Sequence, residues 1–162
     1  QNKLFYAKFI HQIKIMKSLL TKEAYEEINQ RIDLLTLNSE KGWGKMSVGQ
    51  MCWHCQYPLQ LAIKNKPNNS KGNWFIKTFF KKSLYNDKPW RKNMPTAPQL
   101  KAKEDKDFET EHKLLKKLVS DFYAVRDREE WHPHPAFGTF TKEQWGQVQY
   151  KHLDHHLKQF GV

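Results

Sequence analysis

Apolar residues recur every three to four positions in four separate segments of this chain, and no segment alternates apolar with polar residues over the length of a strand. That periodicity commits the chain to helices. In residues 22–35, Tyr25, Ile28, Ile32 and Leu35 share a face behind a Thr21 cap. Residues 47–64 open with Ser47 and Gln50 at capping-box spacing, with Met46 and Met51 where a hydrophobic staple would close. Residues 107–123 carry Phe108, Leu115, Leu118 and Phe122 on one side. The last segment repeats the capping box with Thr141 and Gln144, adds a Phe140 and Trp145 staple, and meets a stop at Gly161. Each apolar stripe needs a partner stripe, so the expected fold class is all-α, an antiparallel four-helix bundle. The second and third helices are joined by a long proline-rich crossover, residues 65–103, which holds one short amphipathic stretch at 74–85. A connection of that length covers or shapes something. Pro58 lies inside the second helix, where it removes an amide donor and leaves the carbonyl of His54 without its usual partner.

The length fits one domain that buries about 70% of its unfolded surface, so neither a disulfide nor a metal is needed merely to fold. Residues 1–15 are expected to be an extension outside that domain, which then runs over 16–162, with Met16 as a natural start. Their alternative is a basic amphipathic helix built on Leu4, Phe5, Phe9 and Ile13, lying on the body of the protein or on lipid. Lysines interrupt every apolar run, and no signal-peptide cleavage site or membrane-length stretch is present, so membrane attachment is not expected. Two cysteines, Cys52 and Cys55, are too few and too close for a disulfide framework, and a soluble, cytoplasmic protein is expected. The net charge of +11 is spread over the chain without a nucleic-acid reading motif. It reads as a solvated surface rather than a nucleic-acid footprint.

The chemistry is carried by histidine. His152 and His156 are four residues apart in the last helix, a spacing that stacks both imidazoles on one face. At about 100° per residue, Trp145, Gln149, His156 and Gln159 all fall within roughly 60° of His152. Gly146, Tyr150, Leu153, Leu157 and Phe160 form an adjoining apolar arc, and Gln147, Lys151, Asp154 and Lys158 are assigned to solvent. On the second helix His54 stands beside Gln50, Met51, Pro58 and Leu61, again next to a core face. Three inward imidazoles from two helices can hold one metal ion and leave a coordination position open. Equally, an inward histidine can be a core group bonded to a backbone carbonyl. Gln159, Gln149, His155 and Trp145 are candidates for bonding to the ligands or walling the pocket, and His134 can approach from its loop. Cys52-Trp53-His54-Cys55 imitates a redox motif, but these cysteines lie past the first turn of a helix with no strand before it. No Ser-His-Asp pattern, phosphate loop or dinucleotide fingerprint occurs.

Trp43-Gly44-Lys45-Met46-Ser47-Val48-Gly49-Gln50-Met51 leading to His54-Cys55-Gln56, then Asn93-Met94-Pro95-Thr96-Ala97-Pro98, His134-Pro135-Ala136-Phe137-Gly138 and the closing 149–161 stretch resemble a family of unknown function. It is numbered 1569 among such domains and belongs to the DinB-like (YfiT-like) superfamily of metalloenzymes. The resemblance runs over about 16–162 and implies a DinB-like four-helix bundle. It also implies a divalent metal, nickel or zinc, on His54, His152 and His156. It implies in addition that Cys52 is incidental, and that a low-molecular-weight thiol is a fitting co-substrate. The expected function is therefore a metal-dependent enzyme of unassigned reaction. Its metal would activate a water or a thiol toward a small-molecule substrate, in a monomer or a homodimer. The competing expectation is a non-catalytic binding protein with a structural or vestigial histidine cluster and a basic surface.

Overall fold

The computed structural model describes residues 16–67, 72–96 and 98–162. The expected extension at 1–15 lies outside the described residues. Among these, the chain forms five α-helices: α1 (Lys22–Asp33), α2 (Val48–Lys64), α3 (Trp74–Tyr85), α4 (Phe108–Ala124) and α5 (Lys142–Gln159). No strand is present among them; a single antiparallel bridge pairs His134 with Gly138.

The helix ends follow the sequence signals. Ser47 and Thr141 are N-caps, and Gln50 and Gln144 complete both capping boxes. The side chains of Thr21 and Asp107 accept from Ala24 and Thr110 at the starts of α1 and α4. At the end of α2, Asn65 takes a left-handed conformation (φ 42°), and Arg128 donates to the carbonyls of Ala62 and Ile63 at 3.0 and 3.1 Å. A guanidinium there satisfies the last carbonyls and offsets the negative end of the helix dipole. Gly161 (φ 78°) follows α5, and the Val162 amide returns to the Leu157 carbonyl at 3.1 Å. Pro58 sits within α2 and the helix continues through it.

α1 packs on α4 and α5, and α2 packs on the same two helices, so the four pairings close into a ring α1–α4–α2–α5. The enclosed core holds Ile28 and Ile32 of α1, Met51, Cys52, Cys55 and Leu59 of α2, Leu115, Val119 and Phe122 of α4, and Leu153 and Leu157 of α5. Leu118, expected in the core, is only partly buried, and Val119 takes its place. Burying each such side chain contributes about 1.5–3 kcal/mol. Gly49 marks the tightest approach, because a Cβ there would stand 2.2 Å from the Lys106 carbonyl oxygen. Backbone cannot swing aside as a side chain can. Gly49→Ala is therefore expected to destabilise the protein by about 1–3 kcal/mol, seen as a lower thermal midpoint; an unchanged melt would show that α2 and the segment before α4 are not packed this closely.

The amphipathic stretch of the crossover forms α3, which packs on α5. This corrects one expectation. Lys151, assigned to solvent, is 4% exposed. Its ammonium donates to the carbonyls of Ser83 and Asn86 at 2.6 and 2.8 Å and to Asn86 Oδ1 at 2.6 Å. These oxygens lie at the C-terminal end of α3, where unpaired carbonyls attract a cation. Burial pulls the lysine down to about 8. Helical angle alone placed Lys151 outside, but α3 covers that side of α5.

Candidate metal centre

His54 on α2 and His152 and His156 on α5 are all buried, at 5%, 8% and 9% exposure. The His54 and His152 rings are tilted with centroids 5.0 Å apart, and the other two pairs meet edge to face at 4.8 Å each. One ring nitrogen from each lies within 4.8 Å of the others. His54 Nε2 and His152 Nε2 are 3.1 Å apart. Two imidazole nitrogens bonded to one zinc-sized ion at about 2.0–2.1 Å stand roughly 3.3 Å apart in tetrahedral geometry.

The neighbours decide which nitrogens carry protons. The carbonyl of Leu100 lies 3.0 Å from His54 Nδ1 and can only accept, so Nδ1–H donates to it and Nε2 keeps its lone pair. Gln159 works the same way from the other side. Its Nε2 donates to the Trp43 carbonyl at 2.7 Å, which turns its Oε1 to His156 Nδ1 at 2.8 Å. His156 Nδ1–H therefore donates to that oxygen, and its Nε2 also keeps a lone pair. His152 has one proton to place. On Nε2 it serves His54 but not His156; on Nδ1 it leaves two lone pairs facing each other at 3.1 Å. In either case Nδ1 is buried without a partner. A cation among the three nitrogens satisfies every lone pair at once, which no arrangement of that single proton does.

Electrostatics point the same way. Burial, opposed by the Leu100 carbonyl, lowers His54 below the ordinary histidine value. Burial, followed by the charges His156, His54 and His155 would carry, lowers His152 well below it. Burial and His54 bring His156 down to about 3 against the Gln159 bond. All three rings are neutral at pH 7, the form that ligates a metal.

Of the other expected site residues, Gln159 binds a histidine of the cluster directly. Gln149 is 1% exposed and donates to the Pro58 carbonyl at 3.1 Å, tying α5 to α2 near the cluster. His155 is half-buried and packs against His156 (5.1 Å), Trp43 (5.7 Å) and Trp90 (5.6 Å). Trp145 and His134 belong to a neighbouring aromatic group instead. His134 touches Phe137, Phe140 and Trp145 and accepts from the Ala136 amide at 3.0 Å through Nδ1.

Three contributors escaped the sequence reading: Leu100, Trp43 and Trp90, whose ring lies 5.9 Å from His152. Trp43 and Trp90 are in loops and Leu100 ends a single 3-10 turn, Pro98–Leu100, and none of these carries a periodicity that assigns a face. One signal was available in Trp43-Gly44. Gly44 has φ 80°, and a Cβ on it would meet Gln159 Nε2 at 2.5 Å, so the glycine makes room for the amide that orients His156.

The cysteines are inert by burial. Both are free; Cys52 is pushed up to about 12 and Cys55 well above the ordinary thiol value, and Cys55 lies 3.7 Å from the Met51 sulfur. A small cleft of about 90 Å³ reaches His54 past Trp53, Tyr57 and Leu100. The larger one, about 480 Å³, lies between the α1–α2 loop and α2, and none of the three histidines lines it.

The family described as "Protein of unknown function (DUF1569)" matches residues 14–161. The chain belongs to this family. The three histidines, Gln159, Trp43 and Leu100 all fall within the matched DUF1569 region. No curated protein and no solved structure matches the chain. No helix among the described residues is long and apolar enough to cross a membrane.

Proposed function

We propose that this DUF1569 protein is a metal-dependent enzyme of the DinB-like type, a single antiparallel four-helix-bundle domain over residues 16–162, with a divalent ion, nickel or zinc, on His54, His152 and His156. The observation that carries this reading is the convergence of three neutral imidazoles, two with lone pairs fixed toward the same point by Leu100 and Gln159. The closed ring of pairings α1–α4–α2–α5 supports the bundle. Among the described residues the cluster offers three protein ligands and no fourth, the donor set of a centre that keeps a position for an exogenous ligand.

A divalent ion held by these histidines would supply Lewis acidity that acidifies a water or a low-molecular-weight thiol. The residues of the chain do the rest. Leu100 and Gln159 hold the ring planes of His54 and His156, and Trp90 covers His152. His155, between Trp43 and Trp90 at the edge of His156, is the imidazole placed to exchange a proton with a substrate at that side. No aspartate or glutamate among the described residues joins the cluster, which leaves the site neutral before metal binding and suits an anionic ligand afterwards.

Cobalt substitution tests the reading with a spectroscopic rather than a catalytic readout. Co(II)-loaded protein is expected to show the visible absorption of a low-coordinate, nitrogen-ligated ion, and adding a cellular thiol is expected to bring in a sulfur-to-metal charge-transfer band. Absence of visible Co(II) bands would remove the metal site; normal bands that no thiol perturbs would remove thiol transfer and leave a water-activating hydrolase.

A further inference from the structure

The outer side of α3 is apolar in the wrong direction for a helix that only packs on its neighbour. Trp74, Phe75, Phe79 and Phe80 are 75%, 56%, 62% and 46% exposed. The phenylalanines form one patch, with ring centroids 4.8 Å apart for Phe75 and Phe79 and 6.4 Å for Phe75 and Phe80. Attachment to the protein uses the opposite side and the C-terminal end. Leu84 and Tyr85 pack on the core, and the Lys81 ammonium donates to the Thr139 carbonyl while lying over Phe140. The Ser83 and Asn86 carbonyls hold Lys151, and Trp90 Nε1 donates to Ser83 at 2.8 Å. α3 is thus pinned with its aromatic side turned away from the body.

The charge that α3 itself carries has one sign. No aspartate or glutamate occurs between Glu40 and Asp87, while exposed Lys77 and Lys82 lie on α3. Exposed aromatic side chains flanked by lysines match the interface of an anionic bilayer, where rings enter the headgroup boundary and ammonium groups meet lipid phosphates. We propose that α3 docks this protein onto the surface of an anionic membrane, with Trp74, Phe75, Phe79 and Phe80 inserted and the lysines on phosphate. A second copy fits the patch poorly. A two-fold contact would set Lys77 and Lys82 against their own equivalents in a chain of net charge +11. The membrane-surface option considered for residues 1–15 is a different segment, and this inference does not depend on the metal site.

Sedimentation of the full-length protein with vesicles tests it. Binding is expected to vesicles of phosphatidylcholine mixed with phosphatidylglycerol and not to phosphatidylcholine alone, weakening as salt rises. Phe75→Ser, Phe79→Ser and Phe80→Ser together are expected to lower partitioning about tenfold or more. They should leave the circular dichroism and thermal midpoint unchanged, because the three side chains are exposed. Lys77→Glu with Lys82→Glu is expected to weaken binding strongly as well, by roughly fivefold or more for each lysine. A blue shift of tryptophan fluorescence on binding should disappear in Trp74→Phe while sedimentation persists. The proposal is overturned if neither vesicle sediments the protein, or if the triple variant sediments like wild type. It is equally overturned if the patch instead supports a dimer in sedimentation velocity that the triple variant dissolves without any vesicle binding.

Discussion

His152→Ala is expected to abolish stoichiometric metal binding, whereas Gln159→Leu is expected only to weaken it. His152 contributes a ring nitrogen 3.1 Å from that of His54, and among the described residues no other histidine, cysteine or carboxylate joins the cluster to replace it. Gln159 acts through His156: its loss frees the ring to rotate and removes the acceptor that keeps the proton on Nδ1. Removing such an orienting partner typically costs 10–100-fold in metal affinity, so a loss greater than about 100-fold is expected for the ligand itself. Competition against a chelator of known affinity, with elemental analysis of the purified proteins, separates the three cases. At a free-metal level 100-fold above its dissociation constant, the wild type should also gain about 2.7 kcal/mol of stability that His152→Ala does not. A fully folded wild type that takes up no metal at all would favour the competing reading, a binding protein whose histidines are bonded core groups.

Acid is expected to unfold the metal-free protein at mildly low pH, and metal to push that transition lower. The sign follows from the direction of the shifts. Burial lowers His156 to about 3 and His134 to about 4 from the ordinary 6.5, and lowers His54 and His152 as well. Between each folded value and 6.5 the unfolded chain binds more protons than the native one, so stability is fully present above 6.5 and is lost as pH falls. Each such histidine removes roughly 1.4 kcal/mol per pH unit in its window. From pH 6.5 to 4.5, His156 and His134 alone remove on the order of 5 kcal/mol, comparable with the whole stability of a typical domain. Urea denaturation at a series of pH values measures this directly. A denaturation midpoint that stays level between pH 7 and 5 would contradict the burial of neutral imidazoles, and one that does not move with added metal would contradict their joint use as ligands.

Much of this site was legible in sequence because its three histidines lie on helices. The four-residue spacing of His152 and His156 fixes their common face through backbone geometry alone, and the position of His54 beside a core stripe turns it inward. Lys151 shows where that logic stops. Its angle on α5 is polar by every periodic rule, yet α3 lies over it and supplies three oxygens. Periodicity describes one helix and its two sides; it carries no information about a further element that packs on the polar one. The aromatic patch of α3 is the same failure in reverse. An amphipathic pattern predicts that the apolar face is covered, and here the contacts to the body are made by Leu84, Tyr85 and the Lys81 ammonium, so the phenylalanines remain outside.

The helices, their capped ends and the three inward imidazoles can be read from residue order alone, since they follow from local torsion preferences and hydrogen bonds spanning a few residues. Which ring nitrogens face one another, and which carry protons, is set instead by packing between distant parts of the chain. Those depend on the carbonyl of Leu100, separated from His54 by 46 positions, and that of Trp43, separated from Gln159 by 116. Contacts across such distances are set by how whole elements pack, and loop residues that supply them follow no period a sequence can display.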